Sequence, residues 1–126
     1  WVRPATTTGW RTVLMKEIPS SLAYSLYASG GTANPSGWIR VGSNDVNVSA
    51  TAALSTTAWS HLAMTYDGAS MRLYVNGALV ATRAQAGAAP TSTSGLRIGG
   101  NDVWGEYFSG LIDDVLDKVE MWFSKD

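Results

Sequence analysis

The sequence contains no cysteine and only one histidine, His61. The absence of cysteine excludes disulfides, thiolate nucleophiles and zinc–thiolate sites, and one histidine cannot build a histidine metal cluster. Charged residues make up only 15% of the chain, and the formal net charge is -1. So few charges produce only a weak electrostatic field, which argues against a nucleic-acid partner or an anionic membrane surface. The apolar runs are far too short to cross a bilayer, so we expect no membrane insertion.

Aromatic and small residues are what the chain has in abundance. Six tryptophans in 126 residues need either a core or an aromatic binding surface to explain them. This length suits one domain, which we place over residues 1–126. The sequence begins at Trp1 without a signal peptide, as an excised domain would. Abundant Ala, Thr, Ser and Gly with few Lys is typical of an exported protein from a GC-rich bacterium.

The clearest structural pattern lies in residues 59–76. Two strand-like runs flank Asp67-Gly68, and Asn76-Gly77 precedes a third run over residues 78–83. Asp-Gly and Asn-Gly favour type I′ hairpin turns, which need positive φ at both central residues. We therefore predict an antiparallel meander. About ten short strands with turn signals roughly every 8–12 residues extend the pattern, so the predicted fold class is all-β, a two-sheet antiparallel β-sandwich or jelly roll.

Several of these residues recur, in the same order, in a known group of proteins. The central ones are Trp59, His61, Leu62, Ala63, Tyr66, Asp67, Gly68, Leu73, Tyr74, Val75, Asn76 and Gly77. Residues 1–4, 98–99 and 108–115 add matches to an opening strand and a closing strand. The chain thus resembles the laminin-G-like group of the concanavalin A-like lectin/glucanase superfamily over roughly residues 1–115. This resemblance implies a two-sheet jelly roll with a curved face and a rim of loops.

The C-terminal tail departs from that group, and its structure stays open between a helix and a strand. Residues 119–123 (V-E-M-W-F) resemble the group's opening strand, as if that segment had been moved. A helix with one apolar stripe is the other interpretation. The stripe would contain Ile112, Val115, Leu116, Val119, Trp122 and Phe123.

A short internal echo relates residues 40–46 to residues 97–103, since both contain Arg, Gly, Asn and Asp at matching places. One interpretation is a strand-exit turn used twice, because Gly followed by Asn-Asp is ordinary turn chemistry. The other is a pair of loops that offer oxygens at one rim. Laminin-G-like domains commonly carry calcium there, and calcium prefers carboxylate, amide and carbonyl oxygens. The candidate calcium ligands are Asn44, Asp45, Asn101 and Asp102.

Carbohydrate binding would use aromatic platforms beside amides and carboxylates, because sugar rings present apolar C–H faces and hydroxyl edges. The candidate ligand-binding residues are Trp38, Arg40, Trp104 and Tyr107. Trp104, in a loop before Gly105, is the best candidate for an exposed platform. Trp10 stands at a strand start after Gly9, whereas Trp59 is expected in the core.

Catalysis is not expected from this sequence. In the glucanases of the resembled superfamily, the catalytic carboxylates follow the pattern E-x-D-x-x-E on one strand. This pattern is absent from the sequence. Glu17, Glu106 and Glu120 stand alone, and the adjacent Asp113 and Asp114 would point to opposite faces of a strand. His61 lies within a strand without a G-x-S-x-G nucleophile elbow, so its expected role is structural.

The leading hypothesis is a non-catalytic extracellular or cell-surface module that binds a glycan or an extracellular protein. The alternative is a structural or adhesive repeat that joins domains or chains through unpaired edge strands. Light scattering separates the two, because a strict monomer at high concentration would contradict self-association.

Overall fold

The computed structural model describes residues 1–117, and within them ten strands and no helix are present. The strands are β1 Val2–Pro4, β2 Arg11–Ile18, β3 Ser21–Ser29, β4 Ser36–Val41, β5 Asn44–Ser49, β6 Leu62–Tyr66, β7 Ser70–Val75, β8 Ala78–Ala84, β9 Leu96–Ile98 and β10 Gly110–Ile112. The predicted all-β class is confirmed. The described part of the chain holds no helix that is long and apolar enough to span a membrane.

The strands form antiparallel sheets consistent with a β-sandwich jelly roll. The five-stranded sheet has the order β5-β4-β3-β2-β9. The opposing sheet contains β6-β7-β8, and β1 and β10 form a two-stranded ladder beside it. Two backbone hydrogen bonds between Val2 and Ser60, each 2.8 Å long, join this ladder to the chain just before β6. The opposing layer is therefore nearly continuous from β10 to β8.

The main core lies between these two layers. Leu26, Ala28 and Ile39 from the five-stranded sheet meet Met71 and Leu73 from β7, all of them buried. Alternation along a strand sends neighbouring side chains to opposite faces, so each strand fills the core with every second residue. The residues between them are thereby directed to the outer face of the five-stranded sheet, where a second apolar cluster forms.

The two predicted hairpin turns differ in the structure. Asn76 and Gly77 have φ values of 52° and 80°, as a type I′ turn requires. At Asp67-Gly68 only Gly68 has positive φ, and three residues separate β6 from β7, so the type I′ prediction there is wrong. The Asp67 carboxylate instead accepts hydrogen bonds from the backbone N–H groups of Ala69 and Ser70. These bonds lower the pKa of Asp67.

Two further sequence expectations change. Trp59 is 41% exposed and does not belong to the core, because Ser60 beside it pairs with β1 and takes the inward position. Residues 113–117 are not helical, and the remainder of the predicted helix or displaced strand lies in residues 118–126, outside the described residues.

β8, at an end of its sheet, exposes Leu79 and Val80. Self-association through such an edge stays a prediction.

Candidate functional site: an aromatic cleft on the outer face of the five-stranded sheet

The floor of the candidate site is the second apolar cluster. Met15, Leu22 and Tyr27 are buried on the outer face of the five-stranded sheet, and Trp38 packs against them. Trp38 directly precedes Ile39, which belongs to the main core, so strand alternation turns the Trp38 indole outward. The sheet thus presents aromatic side chains on the face opposite to the core.

The connection between β9 and β10 covers one side of this floor. Its start is tied to β2, because the N–H of Gly99 donates to the carbonyl of Val13 at 2.7 Å. It then closes on itself through a 3.0 Å bond from the N–H of Phe108 to the carbonyl of Gly99. We call residues 99–109 the cover loop. Gly99 has a φ of 80°, which lets the chain turn away from the strand.

Asn101 fastens the cover loop to the sheet. Its side chain is 1% exposed, and its amide nitrogen donates to Thr12 Oγ1 at 2.9 Å and to Glu106 Oε1 at 3.0 Å. Its Oδ1 accepts a 2.8 Å bond from the N–H of Trp104. One buried amide therefore determines where both Trp104 and Glu106 are placed.

The cleft between the cover loop and the sheet has a volume of about 250 Å³. Its lining consists of Trp10, Leu22, Tyr27, Trp38, Asp45, Trp104 and Glu106. Trp10 lies 5.1 Å from Tyr27 in an edge-on arrangement and 5.9 Å from Trp38 at a tilted angle. These packed rings hold the Trp10 indole in position, while Trp10 remains 40% exposed and Trp104 47% exposed. Apolar ring faces are thus open to solvent in a fixed geometry.

A second depression shares Trp10 and Trp38 with the cleft. Its volume is about 180 Å³, and hydroxyl and amide groups provide its polar lining. These groups belong to Thr32, Asn34, Ser36, Asn47 and Ser49. Gly30 is required beside it, because a Cβ there would lie only 2.8 Å from the Trp10 ring. Trp10 and Trp38 line both depressions, and we call the two together the groove.

Two carboxylates line the cleft, and they have different hydrogen-bond partners. Asp45 accepts a 2.9 Å ion-pair hydrogen bond from Arg40 and a 3.1 Å bond from the Ser21 hydroxyl. Glu106 Oε1 accepts a 2.8 Å bond from the Tyr27 hydroxyl as well as the Asn101 bond. Burial, followed by the hydrogen bond to Glu106, raises the pKa of Tyr27 well above its usual range. Tyr27 is therefore a neutral donor at physiological pH.

The four candidate ligand-binding residues are divided by the structure. Trp38 and Trp104 line the cleft together. Arg40 does not line it, because its guanidinium is held by Asp45, Ser21 and the carbonyl of Ser43. Tyr107 is 58% exposed and lies beside Gly100, away from the cleft lining.

Three of the four candidate calcium ligands are engaged in other contacts. Arg40 pairs with Asp45 at 2.9 Å, and Arg97 pairs with Asp102 at 2.6 Å. The internal echo is thus a strand-exit turn used twice, each copy closed by an arginine and the aspartate five residues later. The Asn101 side chain already makes three hydrogen bonds, with Thr12, Trp104 and Glu106. Asn44 is exposed on β5. A cation would have to displace two guanidinium groups, so this donor set does not fit calcium.

Among residues 1–117 no group of three or more His, Asp or Glu side chains is arranged to hold a metal ion. Calcium binding by the four residues stays a prediction that the observed contacts do not favour.

Sequence reasoning did not assign Leu22, Tyr27 or Glu106 to the site. Glu106 belongs to no E-x-D-x-x-E pattern, so the sequence alone gives it no partner in a site. Its place beside Asp45 depends on the cover loop folding back over the sheet, a long-range event. The available signal was its position two residues after Trp104, in the same loop.

The comparison with protein-family models agrees with this architecture. A laminin G family model, described as the concanavalin A-like lectin/glucanases superfamily, matches residues 1–116. No curated protein matches the chain. A solved structure of an S-layer domain-containing protein (residues 221–444) from Clostridium thermocellum is similar, with 18% identity and a TM-score of 0.37. That similarity covers 97% of this chain and 60% of the other.

Proposed function

Since the chain belongs to the laminin G branch of the concanavalin A-like lectin/glucanases superfamily, we propose that it is a binding module that holds a carbohydrate in the aromatic cleft. The observation that carries the proposal is the lining of the cleft. Three indoles and one phenol surround about 250 Å³ beside two carboxylates. Flat apolar faces next to hydrogen-bond acceptors match the C–H faces and hydroxyl edges of a sugar ring.

The dimensions of the groove support a short saccharide as the ligand. The cleft is slightly smaller than the roughly 300–1,000 Å³ typical of sites for drug-sized ligands, so it suits one ring. The second depression adds about 180 Å³ of polar-lined space across Trp10 and Trp38. A chain of two or three linked sugars would therefore use both depressions and stack on both shared indoles.

A role without catalysis is part of the proposal. Glycoside hydrolysis needs two carboxyl groups, one of them free to exchange a proton and the other to attack the sugar or activate water. Asp45 is bound by Arg40 and by the Ser21 hydroxyl, so its oxygens are already used. This supports binding rather than turnover. An extracellular or cell-surface position is proposed with it, on the basis of the composition expected for an exported protein.

Replacement of Trp104 by alanine tests the site. Trp104→Ala removes the exposed platform, and we expect affinity for a bound oligosaccharide to fall about thirtyfold, because an aromatic anchor commonly contributes about 2 kcal/mol to binding. Titration calorimetry and tryptophan fluorescence measure the loss. Trp59→Ala is the matched control, since Trp59 is similarly exposed at 41% but lies outside the cleft.

The proposal has two ways to fail. A broad glycan array without any hit for the wild-type protein would remove carbohydrate as the ligand class. Equal weakening by Trp104→Ala and Trp59→Ala would mean that the cleft is not where the sugar binds.

A further inference from the structure

The charge at the cleft is not balanced. Arg40 offsets Asp45 through the 2.9 Å ion pair, but within residues 1–117 no ion pair involves Glu106. Both hydrogen bonds that the Glu106 carboxylate receives from described residues go to Oε1, from Tyr27 and Asn101. Oε2 of a cleft-lining carboxylate therefore keeps its capacity to accept a hydrogen bond.

The other charged groups next to the cover loop lie outside the cleft lining and do not offset Glu106. Arg97 lies between two carboxylates, with its guanidinium 2.9 Å from Glu17 and 2.6 Å from Asp102. One guanidinium thus pairs with two carboxylates, which leaves this group of three residues with one net negative charge. Arg11 likewise does not line the cleft, and its guanidinium donates to the carbonyls of Thr8 and Tyr107.

The second depression is different in character. Its polar lining contains only hydroxyl and amide side chains, from Thr32, Asn34, Ser36, Asn47 and Ser49. Charge is therefore confined to one half of the groove. A ligand that fits both halves carries a positive group at one end and neutral hydroxyls at the other.

We infer that the saccharide bound in the cleft is an amino sugar whose protonated amine is held between Glu106 and the tryptophan rings. The inference rests on the proposed function and names the class of sugar. Three indoles around one cleft attract a cation through their ring quadrupoles. An ammonium group donating to Glu106 Oε2 makes a charge-assisted hydrogen bond. The same carboxylate repels uronic acids and other anionic sugars.

Three trisaccharides that share one β-linked backbone provide the test, namely those of glucosamine, N-acetylglucosamine and glucose. They differ only in the group on one ring carbon, which is an ammonium, an acetamide or a hydroxyl. We expect the glucosamine trisaccharide to bind the wild-type protein roughly tenfold more tightly than the glucose trisaccharide, because hydrogen bonds to charged groups are among the stronger ones. Added salt should shrink this ratio, since it screens the carboxylate.

Glu106→Gln identifies the group responsible. Glutamine keeps an oxygen that accepts from Tyr27 and Asn101, so the cover loop retains its anchor while the charge is lost. We expect the preference for the amine to disappear, so that the glucosamine and glucose trisaccharides bind this variant with similar affinity. Asp102→Asn is the control, because it removes an exposed carboxylate outside the cleft lining and should leave the preference intact.

The possible results separate this inference from the proposed function. Equal affinity for all three trisaccharides overturns the amino-sugar assignment and leaves carbohydrate binding in place. No binding of any trisaccharide overturns the assignment and, together with a negative glycan array, the proposed function. Choline serves as a probe for the cation alone. If it binds as tightly as the glucosamine trisaccharide, the aromatic cleft recognises an ammonium group without a sugar, and the assignment is wrong.

Discussion

Asn101 connects three parts of the molecule through one side chain. It bonds to Thr12 on β2, to the carboxylate of Glu106 and to the backbone of Trp104. Its complete burial makes each of these bonds consequential, because a buried polar group without a partner costs about 1–3 kcal/mol. The platform and the acid of the cleft are therefore placed by a residue that touches no ligand.

Substitution of Asn101 should weaken both the fold and the site. Asn101→Ala removes three hydrogen bonds and leaves Thr12 buried without its partner, so we expect the free energy of unfolding to fall by about 2–3 kcal/mol. Urea denaturation measures this change, and calorimetry with an oligosaccharide measures the loss of binding. Asn44→Ala is the matched control. Asn44 occupies the equivalent position in the internal echo but is exposed, so its replacement should change stability by less than about 0.5 kcal/mol.

If the two variants had the same stability, Asn101 would not be the anchor of the cover loop. If Asn101→Ala were destabilised but bound sugar as tightly as wild type, the loop would find its position by other contacts.

At the scale of single residues, sequence alone could indicate the aromatic platforms but not their polar partners. Trp38 and Trp104 were candidates because each stands beside a turn rich in Asn and Asp. Arg40 was a candidate for the same reason, yet a guanidinium five residues from an aspartate can close its own turn, as it does here. Glu106 required knowledge of which face of the sheet the cover loop crosses, and that information is not local.

At the scale of elements, local turn chemistry explains what could be predicted. Asn76-Gly77 gives the expected hairpin because both residues tolerate positive φ. Asp67-Gly68 does not, because the Asp67 carboxylate bonds to the N–H groups of Ala69 and Ser70 and stabilises a longer turn. The same dipeptide pattern thus has two outcomes, and side-chain capping decides between them. The resemblance predicts an opening strand at β1 and a closing strand at β10, and the structure pairs the two, with Val2 opposite Ile112.

That pairing depends on Gly110. Its φ is 135°, and a Cβ there would lie 2.8 Å from the N of Ala5 and 2.9 Å from Cα of Pro4, besides clashing with the carbonyl oxygen of Arg3. These obstacles are backbone atoms of β1 and its exit, which cannot rotate away. We expect Gly110→Ala to reduce the free energy of unfolding by about 2–4 kcal/mol in urea denaturation.

Gly68→Ala separates the clash from the backbone conformation. Gly68 also has positive φ, at 87°, but a Cβ there meets nothing within 4 Å. Only the conformational cost of roughly 1 kcal/mol is then expected. Equal destabilisation by both substitutions would show that close packing of β1 on Gly110 contributes nothing beyond φ.

At the scale of the whole molecule, the sandwich follows from the alternation of apolar residues, whereas the position of the site does not. The pattern predicted two antiparallel layers, and two layers are present. Which face of the five-stranded sheet stays open is decided by pairings between distant segments, such as Leu14 with Ile98. One of the two interpretations of the internal echo places both loops at one rim. They follow β4 and β9, which are separated in the sheet by β3 and β2, and each closes on its own arginine.

The response of the whole domain to calcium tests this account of the loops. An ion bound only by the folded state stabilises it by about 2.7 kcal/mol at a hundredfold excess over Kd, which for a domain of this size raises Tm by several degrees. The arginine pairs of Asp45 and Asp102 occupy the carboxylates that such an ion would need. We therefore expect millimolar calcium, or its removal by a chelator, to shift Tm in differential scanning calorimetry by less than about 1 °C.

Magnesium at the same concentration is the control for ionic strength. A saturable rise in Tm with calcium alone, abolished in an Asp45→Asn or Asp102→Asn variant, would contradict this expectation. It would show that the guanidinium groups give way to a cation, and the internal echo would then be a metal-binding rim rather than a turn used twice.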